Sequence, residues 1–184
     1  LKENHPLIKK AIPLSLGDNY KSYRIVGTNN DLIDIYNGKL KEGKLWKSDF
    51  EVTIGKSVAD ETGLKLGDKF SSAHGFEDDL DLAHEHSAFL VTGIIEGTGS
   101  ILDQLILTNT ASIWLVHDHE DTEHSEDSDS HGHHDHGHDN HLHDNSNADL
   151  LNHPEEEITS VLIQYKSRTN FQALSFGRNI NENT

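Results

Sequence analysis

The chain has 184 residues, enough for one domain of average size or two small subdomains that share a core. Its 32 Asp and Glu against 15 Lys and Arg give a formal charge of −17, which argues against nucleic-acid binding because phosphates attract Lys and Arg. The absence of Cys excludes disulfides, zinc ribbons, iron–sulfur clusters and thiol nucleophiles, and no stretch approaches the roughly eighteen apolar residues of a membrane span. No Met occurs, even at position 1, so we expect this chain to be part of a longer protein.

The predicted elements in the first half are short strands and short helices. We predict strands at 11–16, 23–27, 51–54 and 69–73, and helices at 31–36 and 57–62. A turn at Gly17-Asp18-Asn19 should join the first two strands. Asn29 or Asn30 should cap the first helix, and Gly63 should end the second.

The second half continues this pattern around a long polar segment. We predict strands at 88–95, 102–107 and 157–165, and helices at 111–116 and 170–176. Thr108 or Asn109 should cap the helix at 111–116, and we interpret Trp46 and Trp114 as packing residues. Many short strands with few helices, not strictly alternating, predict an α+β fold.

The charge is concentrated in one part of the chain. No Lys or Arg occurs from Phe70 to Tyr165, over 96 residues that hold 21 of the 32 carboxylates. His117 to Glu157 contains 11 His and 14 Asp or Glu. Because so polar a segment cannot offset its ordering entropy by burial, we expect a His/Asp-rich loop at 117–156 that is disordered without a ligand. Its ends should lie close in space.

The histidines are the sharpest chemical signal. Neutral imidazole binds Zn²⁺, Cu²⁺ and Ni²⁺ well, and interleaved carboxylates can bind the metal or orient its ligands. In an extended chain, residues two apart project to the same side, so a His-x-His pair can chelate one ion. We therefore predict binding of Zn²⁺ or another divalent transition metal, with poor selectivity between metals. The candidate ligands are His74, His84, His86, His117, His119, His124, His131, His133, His134, His136, His138, His141 and His143.

Five of these histidines, the anchored five, lie beside predicted elements and are better placed to form a preorganised site. They are His74, His84, His86, His117 and His119. Two alternatives remain open. The histidines are solvated loop residues beside carboxylates, or they sense pH, since full protonation would move the charge from −17 to −2.

Motifs for catalysis are absent or incomplete. Gly55-Lys56-Ser57 follows a predicted strand and opens a helix, but the additional Gly that a P-loop requires is replaced by Phe50. Neither a Gly-x-Ser-x-Gly elbow nor a His-Glu-x-x-His helix occurs. We therefore predict no catalytic residue, no nucleotide site and no enzymatic activity on this chain.

The order of the motifs resembles the extracytoplasmic domain of ABC transporter permeases of the MacB/FtsX/LolE type. The strand Glu51–Ile54, the stretch Gly55–Asp68 with its Gly-Leu-x-x-Gly-Asp ending, and Phe89–Ile95 follow the family's order. Pro13–Asn19 and Tyr23–Thr28 upstream extend the similarity. The resemblance covers nearly all of the chain except the insert, and is nearest to a subgroup of FtsX-like permeases with a His-rich loop at this place.

This resemblance implies a domain between the first two membrane helices of an inner-membrane permease, facing the periplasm. It implies a split porter-like lobe (1–45 and 100–184, with the insert 117–156) and an inserted small β-rich lobe (46–99). A separate cytoplasmic ATPase subunit, a second permease copy, and an envelope protein or lipoprotein substrate are the implied partners. Two alternatives stay open: a free-standing extracytoplasmic metal-binding or metal-delivery protein, and a permease domain whose insert is only a solvated spacer.

Overall fold

The protein has an α+β fold built on one mixed sheet. The computed structural model describes residues 5–72, 88–123, 157–167, 169 and 175–176, with backbone only over 117–123. The strands are β1 (Ile8–Tyr20), β2 (Tyr23–Gly27), β3 (Leu40–Gly43), β4 (Glu51–Ile54), β5 (Lys69–Phe70), β6 (Phe89–Ile95), β7 (Leu105–Thr108) and β8 (Ser160–Tyr165). The helices are α1 (Asp31–Ile35), α2 (Lys56–Thr62), the 3₁₀ helix Ile101–Gln104, and α3 (Thr110–Glu123).

Within the described residues, eight strands form a sheet in the order β3-β6-β4-β7-β2-β1-β8, and β5 also pairs with β6. The pairs β2/β7 and β4/β6 are parallel, and the other pairs are antiparallel. Strands β4 and β6 lie within 46–99, the stretch predicted as the inserted lobe. Strand β4 pairs with β7 and β6 pairs with β3, and both partners lie outside that stretch. The division into two lobes stays a prediction.

The central strands are buried on both faces. Neighbouring residues such as Ile106 and Leu107 belong to different core clusters, because alternate residues of a strand point to opposite faces. One cluster includes residues of α2 and α3, and the other includes α1 and the fully buried Trp46. Trp114 is 8% exposed. Both tryptophans are therefore packing residues, as predicted.

The predicted turn at Gly17-Asp18-Asn19 is wrong. Strand β1 passes through these residues with a bulge, and pairing with β2 resumes at Asn19. The Arg24 guanidinium donates to the Gly17 carbonyl oxygen at 3.0 Å across this irregularity. The reversal occurs at Lys21-Ser22, where Lys21 adopts φ +54°. Cross-strand hydrogen bonds therefore outweigh the turn preference of the Gly-Asp-Asn sequence.

The predicted strand at 102–107 starts only at Leu105. The residues before it form the 3₁₀ helix, whose first turn is capped by Ser100 Oγ accepting from the Leu102 amide at 3.3 Å. The Asp103 carboxylate accepts the amides of Thr98 and Gly99 at 2.8 Å each. These side-chain acceptors satisfy the backbone locally and remove the need for a strand partner.

Predictions based on local caps are confirmed. Asn29 Oδ1 accepts the Asp31 amide at 3.1 Å at the start of α1, and Gly63 ends α2 with φ +80°. The strands predicted at 69–73 and 157–165 are shorter, as β5 and β8, and β3 was missed. The predicted helix at 170–176 lies outside the described residues except 175–176, which are helical. Within the described chain, no helix has the length and apolar character that crossing a membrane requires.

Replacing Gly55 with alanine should lower the free energy of unfolding by about 3 kcal/mol. A Cβ at Gly55 would meet the carbonyl oxygens of Leu102 and Asp103, which belong to backbone that cannot move aside cheaply. Gly97→Ala is the matched control, because its Cβ would meet mainly the flexible end of Lys56. Urea unfolding measures both variants, and equal losses would contradict this explanation.

Candidate functional site

The predicted metal ligands fall mostly outside the described residues. His74, His84 and His86 lie in segment 73–87, and the eight from His124 to His143 lie in segment 124–156. Positions 117 and 119 belong to the backbone of α3. Among the side chains that the structure describes, no group of three or more His, Asp or Glu could hold a metal ion. The metal site stays a prediction.

Helix α3 corrects one assumption behind that prediction. We expected a helix ending at 116 and a disordered loop from 117 to 156, whereas the helical backbone of α3 continues to Glu123, so the first seven residues of that predicted loop are helical. Helical positions two apart do not face each other. The His-x-His geometry of an extended chain therefore does not apply at 117 and 119.

Segment 73–87 leaves and rejoins the fold beside helix α3. A small depression is lined by Ser72, just before segment 73–87, and by Phe89, just after it. Val116, the residue before position 117, lines the same depression together with Gly17 and Asp18. Although Ser72 and Val116 are more than forty residues apart in sequence, the fold brings them to one place.

Most of the anchored five are close in sequence to this depression. His74 is two residues after Ser72, His86 three before Phe89, and positions 117 and 119 are one and three after Val116. His84 is five residues before Phe89. The sequence indicated that these histidines lie next to predicted strands and a predicted helix. It did not show that those strands and that helix are neighbours in space.

Helix α3 reaches this position because it packs unusually close to β1 and β2. A Cβ at Gly17 would lie 2.6 Å from Ile113 Cδ1, and a Cβ at Gly27 would lie 2.7 Å from Ile113 Cγ1. The Gly27 Cβ would also lie 2.9 Å from the Thr110 Cα. A side chain at Gly27 would meet this backbone and lift the helix from the sheet, so Gly27 fixes where α3 lies, whereas a side chain at Gly17 would displace the end of Ile113.

A buried polar network fixes the first turn of α3 to the residues before β4. Asn109 Oδ1 accepts the Ser112 amide at 2.8 Å, the cap that the sequence predicted, and Asn109 Nδ2 donates to Asp49 at 2.7 Å. Ser112 Oγ accepts from the Phe50 amide at 2.9 Å and from Thr108 Oγ1 at 3.0 Å. Helix α3 is thereby joined to β4 as well as to β1 and β2.

Trp114 ties the two sides of the insert together. Its indole Nε1 donates to the Glu157 carbonyl oxygen at 2.9 Å. Trp114 lies just before segment 117–156 and Glu157 just after it. The expectation that the insert joins elements that are close in space therefore agrees with this contact.

Contacts within the fold explain the presence of Gly55 and Lys56, the two residues that suggested a P-loop. Gly55 lies against the backbone of the 3₁₀ helix, so its lack of a side chain is a steric requirement. The Lys56 ammonium pairs with the Asp60 carboxylate one turn along α2, and this hydrogen bond raises the pKa of Lys56. Both residues thus have structural roles.

The described part of the chain is electrically balanced. Its side chains include 12 Lys or Arg and 12 Asp or Glu, so the net charge of −17 comes from the remaining residues. At the start of β4, burial alone would raise the pKa of Glu51. The amides of Lys47 and Ser48 and the Lys44 ammonium outweigh that effect and lower it. The folded part therefore compensates its charges locally.

Comparison with known proteins establishes a shared fold. No protein-family profile and no curated protein matches the chain. The periplasmic region of MacB from Actinobacillus actinomycetemcomitans superimposes with a TM-score of 0.52 at 11% identity, over 95% of this chain and 65% of that one. The extracellular domain of the noncanonic ABC-type transporter YknZ from Gram-positive bacteria gives a TM-score of 0.49 at 11% identity, over 96% of this chain and 76% of that one.

This chain thus has the fold of the MacB periplasmic region and spans about 65% of its length. The resemblance to extracytoplasmic permease domains that the ordered motifs indicated is confirmed at the level of the fold. The His-rich loop of the predicted subgroup stays a prediction.

Replacing Trp114 with phenylalanine should loosen the backbone at Glu157, just before β8. The variant loses one hydrogen bond and some packing, which is worth about 1–2 kcal/mol of unfolding free energy. Amide hydrogen exchange at residues 157–160 should become faster. Trp46→Phe is the control, since it also shortens a buried indole but does not contact Glu157; equal acceleration in both variants would argue against a local tie.

Proposed function

We propose that this chain is the extracytoplasmic domain of an ABC transporter permease of the MacB/FtsX/LolE type. The observation that carries the proposal is the fold shared with the periplasmic region of MacB over 95% of the chain. The ordered motifs from Pro13 to Ile95 support it independently, because they were recognised from the residues alone. A fold hosts many functions, so the assignment needs the experiments below.

The two ends of the described fold lie side by side, which agrees with insertion between two membrane helices. Strands β1 and β8 are antiparallel, and the Lys166 amide donates to the Leu7 carbonyl oxygen at 2.9 Å. The ring of His5 lies 4.6 Å from that of Phe176. A domain held at both ends by membrane helices needs both ends of its fold on one side, and these contacts bring the described ends, His5 and Phe176, together.

The proposed role is mechanical. A separate cytoplasmic ATPase subunit hydrolyses ATP, a pair of permease copies moves in the inner membrane, and this domain passes the motion to an envelope protein or lipoprotein in the periplasm. A sheet buried on both faces is suited to such a role, because close-packed interiors transmit displacement with little compression. This role requires no catalytic residue on the chain.

We further propose that the histidine-bearing segments bind Zn²⁺ or another divalent transition metal. The depression at Ser72, Phe89 and Val116 supports a site shared by the anchored five, because it places both ends of segment 73–87 beside the part of α3 that precedes position 117. Four of these five positions are within three residues of its lining. Carboxylates beside the histidines, such as Glu85, would orient the imidazoles.

The proposed metal site would lie away from the membrane. Strand β1 runs from Ile8, beside the chain ends, to Gly17 at the depression, a distance of about 30 Å for an extended strand. Metal or a metal-carrying partner would therefore be met on the far side of the domain.

Single cysteines introduced into the full-length protein test the permease assignment, because this chain has none of its own. Lys41→Cys and Lys65→Cys lie at exposed positions and should react with a membrane-impermeant maleimide in cells whose outer membrane has been permeabilised. Val58→Cys, which is fully buried, is the control and should react only after denaturation. Labelling at Lys41→Cys and Lys65→Cys that requires lysis of the inner membrane would refute an extracytoplasmic domain.

Calorimetric titration with Zn²⁺ at pH 7.5 tests the metal assignment, since unperturbed histidines are neutral at that pH. The intact chain should bind several ions. A variant lacking residues 120–153 should retain one tight ion, and replacing the anchored five with asparagine should remove that ion. His5→Asn is the matched control and should change nothing, because His5 lies beside the chain ends.

Two other results of this titration would contradict the metal proposal in part or in full. If removal of 120–153 abolishes all binding, the anchored five do not form a site and the insert binds metal as a loose array. If the intact chain does not bind Zn²⁺ at high micromolar concentration, the metal proposal fails. The permease proposal is unaffected in either case, because it depends on the cysteine labelling.

A further inference from the structure

Helix α1 ends in a Schellman motif formed by Asn37 and Gly38. Asn37 adopts φ +54°, and its amide donates to the Asp34 carbonyl oxygen at 3.0 Å. The Gly38 amide donates to the Ile33 carbonyl oxygen at 2.9 Å. These two hydrogen bonds close a helix through one left-handed residue, and Asn takes that conformation more readily than other residues with a side chain.

Packing requires glycine at the second position of this motif. A Cβ at Gly38 would lie 2.7 Å from Ile33 Cγ2 and 3.1 Å from Leu102 Cδ1. Leu102 is fully buried, and it belongs to the 3₁₀ helix. The fold therefore needs a residue that tolerates positive φ, followed directly by glycine. The chain meets both needs with Asn37-Gly38, which is the one Asn-Gly pair in its sequence.

An Asn-Gly pair is chemically reactive, because glycine has no side chain to hinder attack by its backbone nitrogen. That nitrogen loses its proton and forms a bond to the asparagine Cγ, while the Cγ–Nδ2 bond breaks and the side-chain amide leaves as ammonia. Water then opens the resulting succinimide ring at one of its two carbonyl carbons, which gives aspartate or isoaspartate. Water is the co-reactant, and no oxidant or reductant is needed.

The fold restrains this reaction at the attacking nitrogen. By sequence alone, an Asn-Gly pair in a turn is expected to deamidate rapidly. In the structure, the Gly38 N–H that must lose its proton is held by the Ile33 carbonyl oxygen. Asn37 is exposed, so water reaches it freely. The end of α1 therefore controls the nucleophile of the reaction and leaves the access of water unchanged.

We propose that Asn37 is a modification site of this domain, converted to aspartate or isoaspartate when the end of α1 opens. Helix α1 has only five residues, so its stability depends on contacts with the rest of the fold. Lys10 of β1 supplies one such contact, pairing with Asp31 at 2.6 Å and with Asp34 at 3.0 Å. Because local opening of a short element costs less than global unfolding, the native protein reacts at a rate set by that opening.

Either product would change the end of α1 permanently. Aspartate adds a negative charge at position 37, within a part of the chain whose charges otherwise balance. Isoaspartate lengthens the backbone by one methylene group, which shifts Gly38 relative to Ile33 and Leu102. This inference concerns α1 and its contacts, and it is independent of the permease and metal proposals.

Timed incubation of the intact chain at neutral pH, followed by tandem mass spectrometry of the tryptic peptide 25–39, measures conversion at Asn37. Conversion should be about tenfold slower in the native chain than in guanidinium chloride, as expected when the reaction requires local opening. Asn37→Gly keeps a residue suited to positive φ and shows any conversion at Asn29 or Asn30 of the same peptide. Equal rates in native and denatured chains, or no conversion in the native chain, would overturn the proposal.

A pair of lysine substitutions tests whether α1 controls the rate. Lys10→Met removes the ion pairs that hold α1 to β1, and should speed conversion at Asn37 about threefold, as expected for the loss of partly exposed pairs. Lys56→Met is the matched control, because it removes an ion pair within α2 and should leave the rate unchanged. An unchanged rate in Lys10→Met would refute control by α1. Equal acceleration in both variants would indicate general loosening of the fold and would refute it as well.

Discussion

The close approach of α3 to β1 and β2 is the constraint on which the rest of the arrangement depends. It requires glycine at position 27, because a Cβ there would meet the backbone of Thr110 and Asn109, and it packs Ile113 directly against Gly17. With α3 held there, Val116 reaches the depression and Trp114 reaches Glu157. A helix displaced outward would move Val116 away from Ser72 and separate the two ends of the insert.

Charge divides this molecule into two parts with different roles. The described residues balance their own charges, through local pairs such as Lys10 with Asp31 and Lys44 with Glu51. The excess negative charge lies in segments that the described fold holds at their ends. Such a division keeps the fold independent of the repulsion among the carboxylates, and leaves imidazoles and carboxylates available for cations.

Sequence reasoning succeeded where a structure is determined by neighbouring residues. Asn29, Gly63 and Asn109 act as predicted because each satisfies a helix end through atoms a few positions away. It failed where a distant strand decides the outcome. Gly17-Asp18 has the composition of a turn, but pairing with β2 continues past it. Strand β3 was missed because Lys-Glu-Gly has no strand signal apart from its partner β6.

The sequence by itself determined the α+β class, the helix caps, the histidine inventory and a family resemblance that the fold comparison supports, because composition, caps and ordered motifs are local properties. Only the tertiary structure decided that segment 73–87 begins beside helix α3, since Ser72 and Val116 meet through packing of β5, β6 and α3 that no local pattern encodes. It also decided that β3 and β5 lie along one edge of the sheet, because they become neighbours only by pairing with β6.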